Sequence, residues 1–211
     1  MLRLRLSESD DRLLHTQLNG GTLRRMKSIL LVAILGFPTL LQTSAWKKAD
    51  KSDALLKISF VEYSLNGTFL TRPHHSSLDA PRLVLHCQPS NHKARFLEGW
   101  IDVGAVVKIH VGPDGSVVVP LSFRLDDKKL ESDYWPSSTD GTSIFLNVPG
   151  CATCYVNKLL FGRDTPHKRR LEKQTHKVLV GVQEAFGSEI EMQFDIPDVA
   201  EVGDACGLVS K

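Results

Sequence analysis

Apolar and polar residues alternate along most of the chain with a period of two, the pattern of half-buried strands. In PRLVLHCQ (81–88), Leu83, Leu85 and Cys87 alternate with Val84 and His86. LLKISFVEYSL (55–65) is rich in β-formers and stops at Asn66-Gly67, a turn signal. Two longer runs, FLEGWIDVGAVVKIHV (96–111) and SVVVPLSFRLD (116–126), flank Gly112-Pro113-Asp114-Gly115 and predict a hairpin. SIFLNV (143–148) predicts a further strand. HKVLVGVQEAF and SEIEMQFDI, on either side of Gly187-Ser188, predict a second hairpin. Only two short helices are expected, over 155–161 and, after Pro197-Asp198, over 199–205. The long crossover helices of a parallel sheet are missing from the pattern. The expected fold is therefore mainly β, an antiparallel sandwich of seven or eight strands with two short helices.

One apolar stretch breaks the alternation. Ile29 to Leu41 is a run of thirteen mostly apolar residues, preceded by Arg24, Arg25 and Lys27 and followed by the small residues Thr43-Ser44-Ala45. Basic flank, short apolar run and small-residue exit form the three-part pattern of a secretory signal peptide. A membrane-spanning helix needs about 20 apolar residues, and this run is shorter and broken by Pro38. A buried core helix would explain the apolar run but not its flanks. The polar residues 1–25 delay the run beyond a normal signal-peptide start, so the expectation is a non-native extension with Met26 as the initiator. Cleavage after Ala45 then leaves a flexible lead over 46–54 and a single sandwich domain over 55–211, in the periplasm or secreted, with no stable transmembrane segment.

That processing changes the charge balance. The whole chain has 26 basic and 24 acidic residues, whereas residues 46–211 carry 20 and 21, close to neutral. Neither figure suggests a nucleic-acid partner. All four cysteines, Cys87, Cys151, Cys154 and Cys206, lie beyond residue 45. An even count in an oxidising compartment favours disulfides, and four cysteines allow three pairings.

Cys151-Ala152-Thr153-Cys154 opens the predicted YVNKLLFG helix, where backbone dipoles favour a thiolate and hence thiol redox chemistry. The plainer meaning is a small disulfide stiffening a loop, since the βαβ units of a thioredoxin-like fold are missing. His74, His75, His86, Cys87 and His92 fall within nineteen residues and, with the CxxC, suggest zinc. Their spacing matches no finger pattern, however, and His86 and Cys87 point to opposite faces of a strand. Asp126, Asp127, Glu131 and Asp133 read as exposed charge after a strand, and His167 to Arg170 with Lys173 as a solvated basic loop. Asn66-Gly67-Thr68 is a glycosylation sequon only in a eukaryotic secretory pathway. Nucleophile-elbow, phosphate-loop and dinucleotide motifs do not occur, so no catalytic residue or cofactor is expected, and a hydrolase has no support.

The order of pieces in the second half carries a resemblance. A strand ending in Cys87 precedes a strand with Arg124 and Asp126, then Trp135 with Ser138-Thr139-Asp140, a short helix, Phe194-Asp195 and Cys206-Gly207. Over residues 81–207 this resembles the VasI-like exported accessory proteins associated with type VI secretion and related bacterial envelope proteins. The long segment 88–115 and the CxxC depart from that pattern. The resemblance implies a periplasmic sandwich with a role in protein assembly and no catalytic residues. The matching residues then have structural uses: Arg124 pairing with Asp140 or Asp195, Trp135 plugging one end, and Cys87 bridging Cys206. The expected function is a non-enzymatic module that binds or helps assemble another envelope or secreted protein. The alternative is a thiol-redox or metal-binding protein using Cys151 and Cys154.

Overall fold

A computed structural model describes residues 44–55, 57–88, 95–147, 151–162 and 174–208 of the 211. The proposed extension, residues 26–43 of the proposed signal peptide, the basic run 167–173 and His92 lie outside these residues. The described chain forms eleven strands in two antiparallel sheets. The first sheet has the order β1 (Lys47–Asp53), β2 (Ile58–Asn66), β4 (Arg82–Gln88), β5 (Arg95–Asp102) and β9 (Ser143–Phe145). The second runs β3 (Thr68–Thr71), β11 (Glu189–Asp195), β10 (Lys177–Gln183), β7 (Val117–Leu125) and β6 (His110–Val111), and β8 (Glu131–Pro136) also pairs with β7. Leu121 to Phe123 pair with β10 and β8 at once, so β8 lies along the opposite edge of β7 from β10. Ser137, just past β8, bridges Ile144 of β9 and ties the two sheets together on that side.

Alternation decides which residues meet. Val61, Tyr63, Leu65, Leu83, Leu85 and Ile101 face inward from the first sheet. Leu121, Phe123, Val178, Val180, Met192 and Phe194 face them from the second. Two helices complete this core, α1 (Cys154–Phe161) and α2 (Ala200–Ala205), each within a residue of its expected bounds. α1 buries Val156, Leu159, Leu160 and Phe161, and Gly162 ends it in the left-handed region (φ 65°).

The fold class is as expected, but the strand count and several boundaries are not. The expected flexible lead 46–54 is instead the edge strand β1, paired with β2 over its whole length. Its sequence KKADKSD holds no apolar alternation because only its backbone is paired; its charges protect an exposed sheet edge. Leu55, expected to begin a strand, is exposed in the hairpin turn between β1 and β2. The run 96–111 is not one strand: β5 ends at Asp102, Gly104 turns the chain (φ 70°), and β6 resumes in the other sheet. Asn66-Gly67 likewise passes the chain from β2 in one sheet to β3 in the other. A Cβ on Gly67 would lie 2.6 Å from the Gln193 carbonyl and 2.8 Å from the Phe194 ring, so only glycine fits. β8, with three polar residues and a proline among six, gave no periodic signal.

Candidate functional site

The outer face of the second sheet carries a transverse furrow. Strand register puts Ser132, Ser122 and Gly181 in one row across β8, β7 and β10, and Glu191 of β11 extends that row. One flanking row holds Tyr134 opposite Pro120 and Gln183 opposite Glu189. The other holds Arg124 opposite Leu179, which in turn faces Gln193. Flanking rows four residues apart along a strand are separated by about 13 Å, with small side chains between them. Two adjoining hollows result, of about 490 and 290 Å³, which share Ser122 and Gly181. Gly181 forms part of the floor: a Cβ there would sit 2.6 Å from Ser122 Oγ and 3.2 Å from Glu189 Oε1.

Leu70, Leu130 and Tyr134 are each more than half exposed and line the hollows. Leu70 lies where the β3–β11 register shifts, and it stands exposed instead of packing inward. Glu189 and Glu191 give the furrow an acidic excess over Arg124. Apolar rims around a charged, small-residue floor suit a polypeptide ligand better than a small molecule, which needs an enclosed pocket.

A second feature lies at the start of α1. The structure pairs Cys151 with Cys154 and Cys87 with Cys206, and no free cysteine remains. The Cys87–Cys206 bridge fastens β4 to the end of α2 and is fully buried. Cys151 and Cys154 are half-buried, and Cys154 is the first residue of α1. The next residue, Tyr155, stacks on the buried Trp135 at a centroid distance of 4.3 Å, and its hydroxyl donates to the Tyr134 carbonyl at 3.2 Å. One turn further on, Lys158 reaches Glu131 at 3.2 Å. The first half of α1 is thereby held against β8, which forms one wall of the furrow.

The other residues marked in the sequence are dispersed. Arg124 is exposed on the outer face and forms no pair with Asp140 or Asp195, contrary to expectation. Because β7 alternates, Phe123 and Leu125 take the inward positions and Arg124 must face out. Asp195 is exposed on β11 and accepts from Gln193 Nε2 at 2.9 Å. Asp126 has a positive φ of 50°, and its Oδ1 accepts from the backbone N–H groups of His176 and Lys177 at 2.8 Å, closing the turn after β7. Trp135 is fully buried between Phe123 and Tyr155, with its Nε1 donating to Asp133 at 3.2 Å. Ser138 and Asp140 shape the β8–β9 turn, with Thr139 exposed between them. The Ser138 hydroxyl, with the Thr142 N–H and hydroxyl, holds the Asp140 carboxyl below the usual carboxylate range.

The histidines also fall apart as a set. His86 lies on the outer face of the first sheet, its ring nitrogens 2.9 Å from Glu98 and 3.2 Å from Glu62, flanked by Phe60 and Trp100. His74 lies beside Glu184, whose side chain is buried. Burial works to raise the Glu184 carboxyl, but hydrogen bonds from the His74 ring and the His74 and His75 backbone outweigh it and lower the value. Among the described residues no three His, Cys, Asp or Glu side chains are grouped to hold a metal ion, and no helix is long and apolar enough to cross a membrane.

Residue by residue, then, this is a doubly disulfide-bonded antiparallel β-sandwich with a furrowed outer face. Compared with known proteins, the chain matches no family model, no curated protein and no solved structure.

Proposed function

We propose that this chain is an exported, non-enzymatic binding module that engages another envelope or secreted protein through the furrow of its second sheet. The furrow carries the reading: a small-residue floor, three exposed apolar rim residues and an open arginine. Paired cysteines in both bridges suit an oxidising compartment. The signal-like segment ahead of residue 46 supports the same address, and the likeness to VasI-like accessory proteins supports an assembly role near a secretion machine.

A photoreactive residue placed at Leu179 in cells tests this, with the same residue at Glu62, on the outer face of the first sheet, as control. The expected result is one defined adduct from Leu179 and none from Glu62. Arg124→Glu should reduce that adduct by about tenfold or more, the effect of losing a central contact. Equal labelling from both faces, or an adduct indifferent to Arg124→Glu, would refute the assignment of this face.

A further inference from the structure

We propose that Cys151–Cys154 is a thiol–disulfide exchange site, opened by an external dithiol while Cys87–Cys206 stays closed, and that its opening releases the hold of α1 on β8. The two bridges differ first in access. Cys87 and Cys206 are 0% and 1% exposed, so an attacking thiolate reaches them only after the sandwich opens. Cys151 and Cys154 are only half-buried, so attack on this bridge does not require the sandwich to open.

The bridges differ next in how far the fold depends on them. Cys87–Cys206 joins residues 119 positions apart, whereas Cys151 and Cys154 are separated by three. The short bridge constrains little of the unfolded chain, so the sandwich persists without it.

The start of α1 also distinguishes the two sulfurs. Cys154 is the first helical residue, Thr153 makes no side-chain cap bond, and the first turn holds no acidic residue. A thiolate at Cys154 therefore faces an uncompensated positive helix end. In the same turn the buried Asn157 donates from Nδ2 to Thr153 Oγ1 at 3.0 Å, while its Oδ1 has no hydrogen-bond partner among the described residues. Cys154 and Asn157 are three residues apart, so this acceptor belongs to the same helical turn as the cysteine that gains a proton on opening.

The exchange then runs in two steps. A thiolate of the external dithiol attacks Cys151 Sγ, a mixed disulfide forms, and the Sγ151–Sγ154 bond breaks with the electron pair leaving on Cys154. The partner's second thiolate attacks its own sulfur in the mixed disulfide and expels Cys151. Two electrons, and two protons in all, pass to the protein, and the dithiol leaves as a disulfide. This lies beyond the binding reading and stands independently of it. Its consequence reaches the furrow because Tyr155, next to Cys154, is stacked on Trp135 of β8.

The test uses the intact folded chain. Graded dithiothreitol at neutral pH, followed by alkylation and peptide mapping, should label Cys151 and Cys154 at a concentration at least about tenfold below that needed for Cys87 and Cys206. Near-UV circular dichroism should change over the same range while far-UV ellipticity holds. Opening of both bridges together, opening of the buried bridge first, or an unchanged near-UV signal would overturn the proposal. For the leaving sulfur, iodoacetamide at pH 6.5 should label Cys154 in Cys151→Ser about tenfold faster than Cys151 in Cys154→Ser. Equal rates would overturn that assignment.

Discussion

Removing the buried bridge with Cys87→Ala and Cys206→Ala should cost far more stability than removing the other with Cys151→Ala and Cys154→Ala. The sequence separations of 119 and 3 residues set the difference. In the chain-entropy model a loop of that length contributes about 5 kcal/mol and the short one about 2 kcal/mol. Both Cys87 and Cys206 also pack in the core, so their truncation adds a cavity cost on top of the lost cross-link. Equilibrium unfolding in guanidinium chloride, under non-reducing conditions, measures both variants against the parent. The Cys87/Cys206 variant should show a large drop in midpoint and a steeper denaturant dependence, because its unfolded chain exposes more surface. The Cys151/Cys154 variant should keep the parent slope. Equal losses, or a larger loss for the short bridge, would show that Cys87–Cys206 is not the clamp that holds α2 on β4.

Four other outcomes are expected. Gly67→Ala should destabilise by about 1–3 kcal/mol through the clash with Gln193 and Phe194, whereas Gly115→Ala, with open space around it, should cost only its backbone strain; thermal melts compare them. Trp135→Ala should cost about 3–5 kcal/mol in chemical denaturation and remove the near-UV signal of the Trp135–Tyr155 stack. The depressed Glu184 carboxyl contributes stability that is present above its ordinary value near pH 4.5 and is lost as pH falls through the lower folded value. The stability gap between the parent and Glu184→Gln should therefore close below about pH 4.5, and a gap constant from pH 7 to pH 3 would refute the role. Arg124→Glu should leave unfolding within about 0.5 kcal/mol of the parent while reducing partner adducts, because its side chain is exposed.

Elements that bury one face were legible in the sequence, because burial writes a period of two into strands such as 82–88 and 189–195. β1 and β8 were not, because an edge strand is defined by backbone pairing and its side chains record solvent instead of core. Two of the sheet crossings were hidden for a related reason. Gly67 and Gly104 look like ordinary turn residues, and only the contacts around Gly67 show that the chain changes sheets there.

The furrow is a product of register. Ser122 and Gly181 each interrupt an otherwise larger outward row, VPLSFRL in β7 and VLVGVQ in β10. Nothing in either strand alone tells that the two small residues lie opposite one another. Arg124 could be marked from sequence, but its direction could not, since an arginine in a strand is read as exposed or as internally paired until the inward set is known. Tyr155 and Trp135 lie twenty residues apart, and their stacking depends on where α1 docks.

The proposed export bears on both the disulfide framework and the choice of partner, and the intact mass of the chain recovered from cells tests it most directly, with free thiols alkylated before and after reduction. The account predicts a chain beginning at Trp46 that takes up no label before reduction and four labels after it. A chain that retains residues 1–25, or one recovered with four free thiols, would contradict it.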